Sequence, residues 1–206
     1  MTHSALESSA SFHEALFVDV QFATSEIHDS EFDACAFHGC DFSSAVFAAC
    51  RFLDCDFQDC NFNVAEFRRS RMQLSQFRSC KLTGVNWTLM DWRGFALEPP
   101  FSFFRCDLSY AVFAGLDLAQ LVMHECNASE ADFVGSNLTG SDFHQTDFAG
   151  ARFHRTKLDQ CQFQQAYNFA IDPTQNSLSN ACFSSPEVFN LLAPFKIKID
   201  DDGSPS

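Results

Sequence analysis

Cationic residues are scarce in this chain: 13 Lys and Arg stand against 27 Asp and Glu in 206 residues, a formal net charge of −14. Phosphate contacts are made chiefly by Lys and Arg, so direct nucleic-acid binding is disfavoured. No apolar run approaches the ~20 residues that cross a bilayer. The first fifteen residues hold neither Lys nor Arg and no continuous apolar core, so neither a membrane span nor a secretory leader is expected. The expectation is a soluble cytoplasmic protein. Also missing are the short motifs of catalysis: no nucleophile elbow, phosphate loop or HExxH is found. No enzyme activity, cofactor or small-molecule substrate is implied.

What the chain has is a period of five. Large apolar residues recur at Phe12, Phe17, Phe22, Ile27, Phe32, Phe37, Phe42 and Phe47, and continue through Phe52, Phe57, Phe62, Phe67, Met72, Phe77, Leu82, Trp87, Trp92 and Leu97. After a one-residue slip at Glu98-Pro99-Pro100 the series resumes at Phe103 and runs through Leu108 and Phe113 to Leu158 and Phe163. Such a period fits neither an amphipathic helix nor an alternating strand, so it reads as a repeat architecture. Two residues before most centres sits a small one, as in Cys40-Asp41-Phe42-Ser43-Ser44. One bulky and one small inward residue in every five describe a narrow coil with little room at its axis.

Ten cysteines suggest disulfides or zinc, yet nine of them occupy the small inward slot. Their spacings of five, ten or twenty match no paired-ligand zinc pattern. They read as buried reduced thiols, which fits a cytoplasmic setting. Six of the seven histidines, His13, His28, His38, His124, His144 and His154, take the outward slot after a centre. No metal site is assigned to them.

The charge is banded. Residues 1–66 carry twelve acids against Arg51 alone, residues 67–105 carry seven cations against Asp91 and Glu98, and residues 106–150 carry seven acids and no cation. Every acid within the repeats falls in an outward slot. Glu14, Asp19, Asp29, Asp41, Asp54, Asp56, Asp59, Asp107, Asp117, Asp132, Asp142 and Asp147 are the candidate partner-binding residues. Outward acids also serve solubility, and that reading stays open beside the functional one.

The repeat resembles that of the pentapeptide-repeat family, over roughly residues 10–165 with atypical repeats to about Phe183. The resemblance implies an all-β fold, a right-handed quadrilateral β-helix with twenty residues per coil and one repeat per side. Residues n and n+20 would then stack ~4.8 Å apart. No two acids between Glu14 and Asp159 are separated by 20; several meet Asn or Arg instead, among them Asp41 with Asn61, Glu66 with Asn86, Asp107 with Asn127, Asp117 with Asn137, Glu31 with Arg51 and Asp132 with Arg152. Eight to nine coils would make a rod of roughly 40 Å. The unbroken phase leaves room for no long loop, only a corner at 98–100 that absorbs one residue.

Residues 1–9 read as a lead-in, 10–183 as the β-helix and 184–206 as a cap. Within the cap, Ser185-Pro186-Glu187 signals a helix start, with Ser185 as its cap. Phe195 to Ile199 alternates like a short strand. The segment Gly84-Val85-Asn86-Trp87 followed by Trp92, the mid-rod slip and the cap resemble the quinolone- and albicidin-resistance branch of the family. That resemblance implies a homodimer formed through the cap, with Val188, Phe189, Leu191, Leu192, Phe195, Ile197 and Ile199 as its contacts. It also implies a DNA-mimicking partner for DNA gyrase or topoisomerase IV that counters a topoisomerase poison. A tail-to-tail dimer would carry −28 (2 × −14) over ~80 Å, or about one charge per 3 Å against one per ~1.7 Å for B-DNA. The alternative is a structural or scaffold repeat protein with an unrelated partner.

Overall fold

The computed structural model describes residues 2–3, 7–93 and 101–197. Parallel bridges join residues twenty apart along the rod, so each centre lies above the centre one coil earlier: Phe17 pairs with Phe37 and Phe37 with Phe57, and Phe12 with Phe32 and Phe32 with Phe52. Four such columns close a right-handed β-helix of about eight turns. Its sides are numbered here from the one holding Phe17 (side 1), through Phe22 (side 2) and Ile27 (side 3), to Phe32 (side 4). Side 1 is a seven-stranded parallel sheet running from Thr2–His3 to Met123–His124.

Strands are only two to four residues long because a corner follows each centre. Two residues after the centre the backbone turns with positive φ, for example 52° at Asp19, 52° at Asp54 and 50° at Val64. Most of these corners are not glycine, although a left-handed conformation costs an L-residue ~1–2 kcal/mol. The cost is offset by the hydrogen bonds the corner permits: Glu14 N–H reaches Asp33 O at 2.9 Å and Asp19 N–H reaches His38 O at 2.9 Å, one coil on.

The axis is filled by rings. Phe17, Phe37, Phe57 and Phe77 stack nearly parallel with centroids 4.7, 4.9 and 4.7 Å apart. Rings on neighbouring sides meet edge to face, as Phe57 and Phe62 do at 5.4 Å, the two geometries aromatic quadrupoles favour. Small inward residues satisfy the carbonyls between coils: Cys60 Sγ donates to Phe37 O at 3.3 Å, Ser70 Oγ to Phe47 O at 2.8 Å and Thr146 Oγ1 to Met123 O at 2.7 Å. A thiol or hydroxyl in this slot therefore fills space and also donates. Nine cysteines are buried, and Cys182 is exposed.

Two sequence expectations need correction. Across the mid-rod break Phe77 pairs with Phe103 and Ser75 with Phe101, a step of 26 (103 − 77) rather than 20. Six extra residues enter this coil, and a pattern of period five registers six as one. Six added residues are therefore accommodated where a single-residue corner was expected. Side 4 is where the ladder is interrupted: Asp91 N–H still reaches Ser70 O at 3.0 Å, and pairing resumes with Asp117 opposite Asn137. Leu97 and Glu98-Pro99-Pro100 lie outside the described residues. The second correction concerns the cap. After Cys182–Phe183 pairs with Gln162–Phe163, residues Glu187–Phe195 form a 3₁₀ helix. Pro186, not Ser185, takes the cap position, and no side chain caps it. Phe195 ends this helix instead of starting a strand, with Lys196 left-handed at φ 53°. Pro194 inside the segment has no N–H to give an α-helical bond.

At the other end Thr2–His3 pairs with Leu16–Phe17, so the lead-in contributes a strand to side 1.

Candidate partner-binding surface

The outward slots differ in what surrounds them. The residue just before a centre stands in the ladder, and several of the acids there accept the backbone N–H two residues on. Asp41 takes Ser43 N–H at 3.0 Å, Asp107 takes Ser109 at 3.1 Å, Asp132 takes Val134 at 3.0 Å, Asp142 takes His144 at 3.2 Å and Asp147 takes Ala149 at 3.0 Å. This Asx bond helps set the following corner. Ladder carboxylates are also bonded from the next coil: Asn61 Nδ2 lies 3.1 Å from Asp41, Asn127 3.1 Å from Asp107 and Asn137 2.8 Å from Asp117. Arg152 bonds Asp132, and Arg51 Nη1 lies 3.0 Å from Glu31. Glu66 and Asn86 do not meet in this way: Asn86 turns to Thr88, and Arg68 takes Glu66. The twenty-residue spacing anticipates these pairings across coils but not the Asx bonds, so these acids have structural work beyond what the sequence assigns them.

Corner acids are different. Glu14, Asp19, Asp29, Asp54 and Asp59 project from the positive-φ position. Among the described residues none has a Lys or Arg within ion-pair distance; Glu14 and Asp29 have only His13 at 3.5 Å and His28 at 3.1 Å. Side 1 is bordered by two rows of them. Glu14 and Asp54 stand two coils apart with Ala34 between, and Asp19 and Asp59 likewise with Gly39 between. The alternation separates like charges by roughly 9.6 Å. At Gly39 a Cβ would lie 2.5 Å from Asp19 Oδ1, so a side chain there would push the Asp19 carboxylate aside. Asp56 lies between the rows, 3.8 Å from Arg78 Nη1.

The twelve predicted residues therefore do not form one patch. Glu14, Asp19, Asp41, Asp54, Asp56, Asp59, Asp107, Asp142 and Asp147 lie on sides 1 and 2 or their corners. Asp117 is on side 4, Asp132 on side 3, and Asp29 at the corner between those two. Nor is the basic waist bare: Arg71 and Arg93 both hold Asp91, at 2.7 and 2.8 Å. Arg93 and Arg71 depress the Asp91 carboxyl well below the usual carboxylate range.

Side 1 carries a ladder of flat side chains, of which the twenty-residue period places His124 against His144 but not Arg78 against Phe104. The Arg78 guanidinium lies 5.7 Å from the centre of the Phe104 ring, Phe104 meets His124 at 5.5 Å and His124 meets His144 at 6.0 Å. His124 Nε2 lies 2.8 Å from Asp142 Oδ2. The 26-residue step hid the Arg78–Phe104 link from a search at separation twenty. Among the described residues no three His, Cys, Asp or Glu side chains converge on a metal position.

Of the predicted dimer residues, Phe189, Phe195 and Ile197 are exposed, at 48%, 50% and 57%. Val188 and Leu192 are half-buried, while Leu191 packs on the core of its own rod and is not on the free face. Ile199 lies outside the described residues.

Comparison with known families agrees with the geometry. A model of the pentapeptide repeat region matches residues 30–99, and a model of eight pentapeptide repeats matches 102–140 and 129–165. The chain belongs to the pentapeptide-repeat family. Among solved structures it is similar to full-length QnrB1, described as a plasmid-mediated fluoroquinolone resistance protein, at 19% identity over 93% of this chain and 92% of that one, with a TM-score of 0.52. HetL, a pentapeptide repeat protein involved in heterocyst differentiation regulation from the cyanobacterium Nostoc sp. strain PCC 7120, matches at 16% identity over 84% and 81%, with a TM-score of 0.32. No curated protein matches the chain.

Proposed function

We propose that this rod is a non-enzymatic, DNA-mimicking protein that docks on the DNA-handling surface of DNA gyrase or topoisomerase IV and counters a topoisomerase poison. The observation that carries the reading is the pair of corner rows along side 1, Glu14 with Asp54 and Asp19 with Asp59, which no Lys or Arg of the described chain neutralises. They are held on a stiff stack at regular spacing, as phosphates are on a duplex. Electrostatic complementarity of this kind steers encounter with a cationic groove. The likeness to QnrB1 supports the reading through the fold. The unneutralised acids narrow the expected contact set to Glu14, Asp19, Asp54 and Asp59, with Asp56 between the rows and the ladder acids of side 2 in support. In the same proposal the exposed Phe189, Phe195 and Ile197, with Val188 and Leu192, pair two rods end to end.

Supercoiling and poison-stabilised cleavage assays on gyrase and topoisomerase IV test it. Charge reversal at Asp54, Asp56 and Asp59 together is expected to weaken protection about tenfold or more, as loss of clustered interface charges does, with the thermal midpoint nearly unchanged. Absence of any effect of the wild-type dimer on either assay would favour the scaffold alternative.

A further inference from the structure

Between the last coils and the C-terminal helix lies a cleft of about 640 Å³. Ala149 and Gly150 form one wall, residues 168–172 the floor, and Asn190, Ala193 and Pro194 of the 3₁₀ helix the other wall. Its volume falls within the ~300–1,000 Å³ of ordinary ligand sites.

The cleft exists because the ladder fails there. Along side 2 each corner N–H donates to a carbonyl one coil on: Thr24 to Ser43, Ser44 to Asn63, Val64 to Thr83, Gly84 to Ser109, Tyr110 to Ser129 and Glu130 to Ala149. Gly150 is next in the series, and among the described residues its N–H meets no acceptor. The cause is one added residue. Tyr167 still pairs with Asp147, but the buried ring that follows is Phe169, one position late, with Ile171 the next buried side chain. Over 168–171 exposure alternates out, in, out, in, as in a strand with one face on a core. Yet among the described residues no backbone N–H or C=O of 168–171 is hydrogen-bonded. On the earlier coils of side 2 the N–H and C=O of each centre and the N–H of each corner as far as Glu130 are paired, and an unpaired strand edge is a template for another strand.

We infer that Asn168–Ile171 is a docking edge for an extended peptide segment of a partner protein. The segment lies in the cleft, pairs its backbone with 168–171, and seats a small apolar side chain among Ala149, Ala193 and Pro194. Strand addition of this type takes its affinity from the main chain and its selectivity from alternate side chains. The rim sets the charge. The Glu130 carboxylate lies over Gly150, Asp147 accepts from Asn168 Nδ2 at 2.9 Å, and Asp172 lines the floor, so the segment that fits is basic around its small apolar residue. This site lies toward the other end of the rod from Glu14, Asp19, Asp54 and Asp59 and stands or falls independently of the topoisomerase reading.

Hydrogen exchange on the full chain tests it, with the acetylated and amidated peptide Lys-Val-Ala-Val-Lys as probe. In the free protein the amides of Gly150 and 168–171 are expected to exchange far faster than those of Ser44, Val64 and Tyr110, and to become protected on adding probe. Methylating the probe's alternate backbone nitrogens should weaken binding about tenfold or more, because its donors are removed. Ala193→Trp, at an exposed position, fills the cleft and should abolish probe binding without moving the thermal midpoint. Protection of 168–171 already in the free protein would mean that the chain's own end or a second copy holds the edge, and it overturns the inference. So would equal binding of the methylated probe, or no binding at millimolar concentration.

Discussion

Val64 is a β-branched residue at φ 50°, a region such side chains rarely enter, and it is 55% exposed. Val64→Gly relieves the corner while giving up little buried area. The expected gain is ~1 kcal/mol, a rise of roughly 2–4 °C in the thermal midpoint by calorimetry. At the axis the balance reverses: Phe57 lies 4.9 and 4.7 Å from the rings above and below it, so Phe57→Ala should cost ~3–5 kcal/mol, measured by denaturant unfolding. The thiols are inert for the same reason. Burial pushes Cys55 and Cys161 up to about 12, so they stay protonated at neutral pH. An aromatic disulfide reagent should therefore label Cys182 alone in the native protein, and all ten cysteines once it is unfolded. Asp91 supplies a pH dependence. Its carboxyl titrates lower in the fold than in the unfolded chain, so its contribution is complete above the ordinary value of 3.8 and is lost as pH falls from there toward the depressed one. Asp91→Asn is expected to flatten that part of the acid limb in a pH series of melting curves.

At the scale of elements, the cap is the piece least like the rest. The 3₁₀ helix Glu187–Phe195 buries no residue fully, yet Leu191 reaches the core while Phe189 and Phe195 face outward. Phe189→Glu with Phe195→Glu should therefore leave the coils folded while shifting sedimentation from dimer to monomer; an unchanged mass would remove the end-to-end pairing. How legible each element was follows from its period. Coils built on stacked Phe and Cys could be read directly, because side-chain size alternates with a fixed step and nothing else competes. The helix start at Ser185-Pro186 was visible, but its type was not: Pro194 lies eight positions after Pro186 (194 − 186), and its effect on the hydrogen-bond pattern shows only in three dimensions. The break shows in the sequence as a one-residue slip at 98–100 but is undercounted there, since the pattern carries position only modulo five. Among site residues, outward placement was readable from slot alone. Whether an acid is free or engaged was not, because Asp41 and Asp54 differ only in which outward slot they occupy, and no property of the residue itself marks the difference.

For the whole molecule, contacts run between adjacent coils, so stability is a sum over neighbours rather than a property of one shared core. Damage in mid-rod should separate the two ends. Phe77→Ala, next to the 26-residue coil, is expected to turn one unfolding transition into two in calorimetry, whereas Phe12→Ala at the N-terminal coil should only lower the first part of a single one.

The left-handed corners carry a further consequence for how such a chain comes into being. A lone turn of this helix would hold four uphill backbone angles with no coil above or below to reward them, so it has no stability of its own. Order must spread from a seed already in place, each new lap templated by the one before, much as a crystal face recruits its next layer. A nascent chain leaving the ribosome would gain structure in steps of about one lap, in the order in which it is translated.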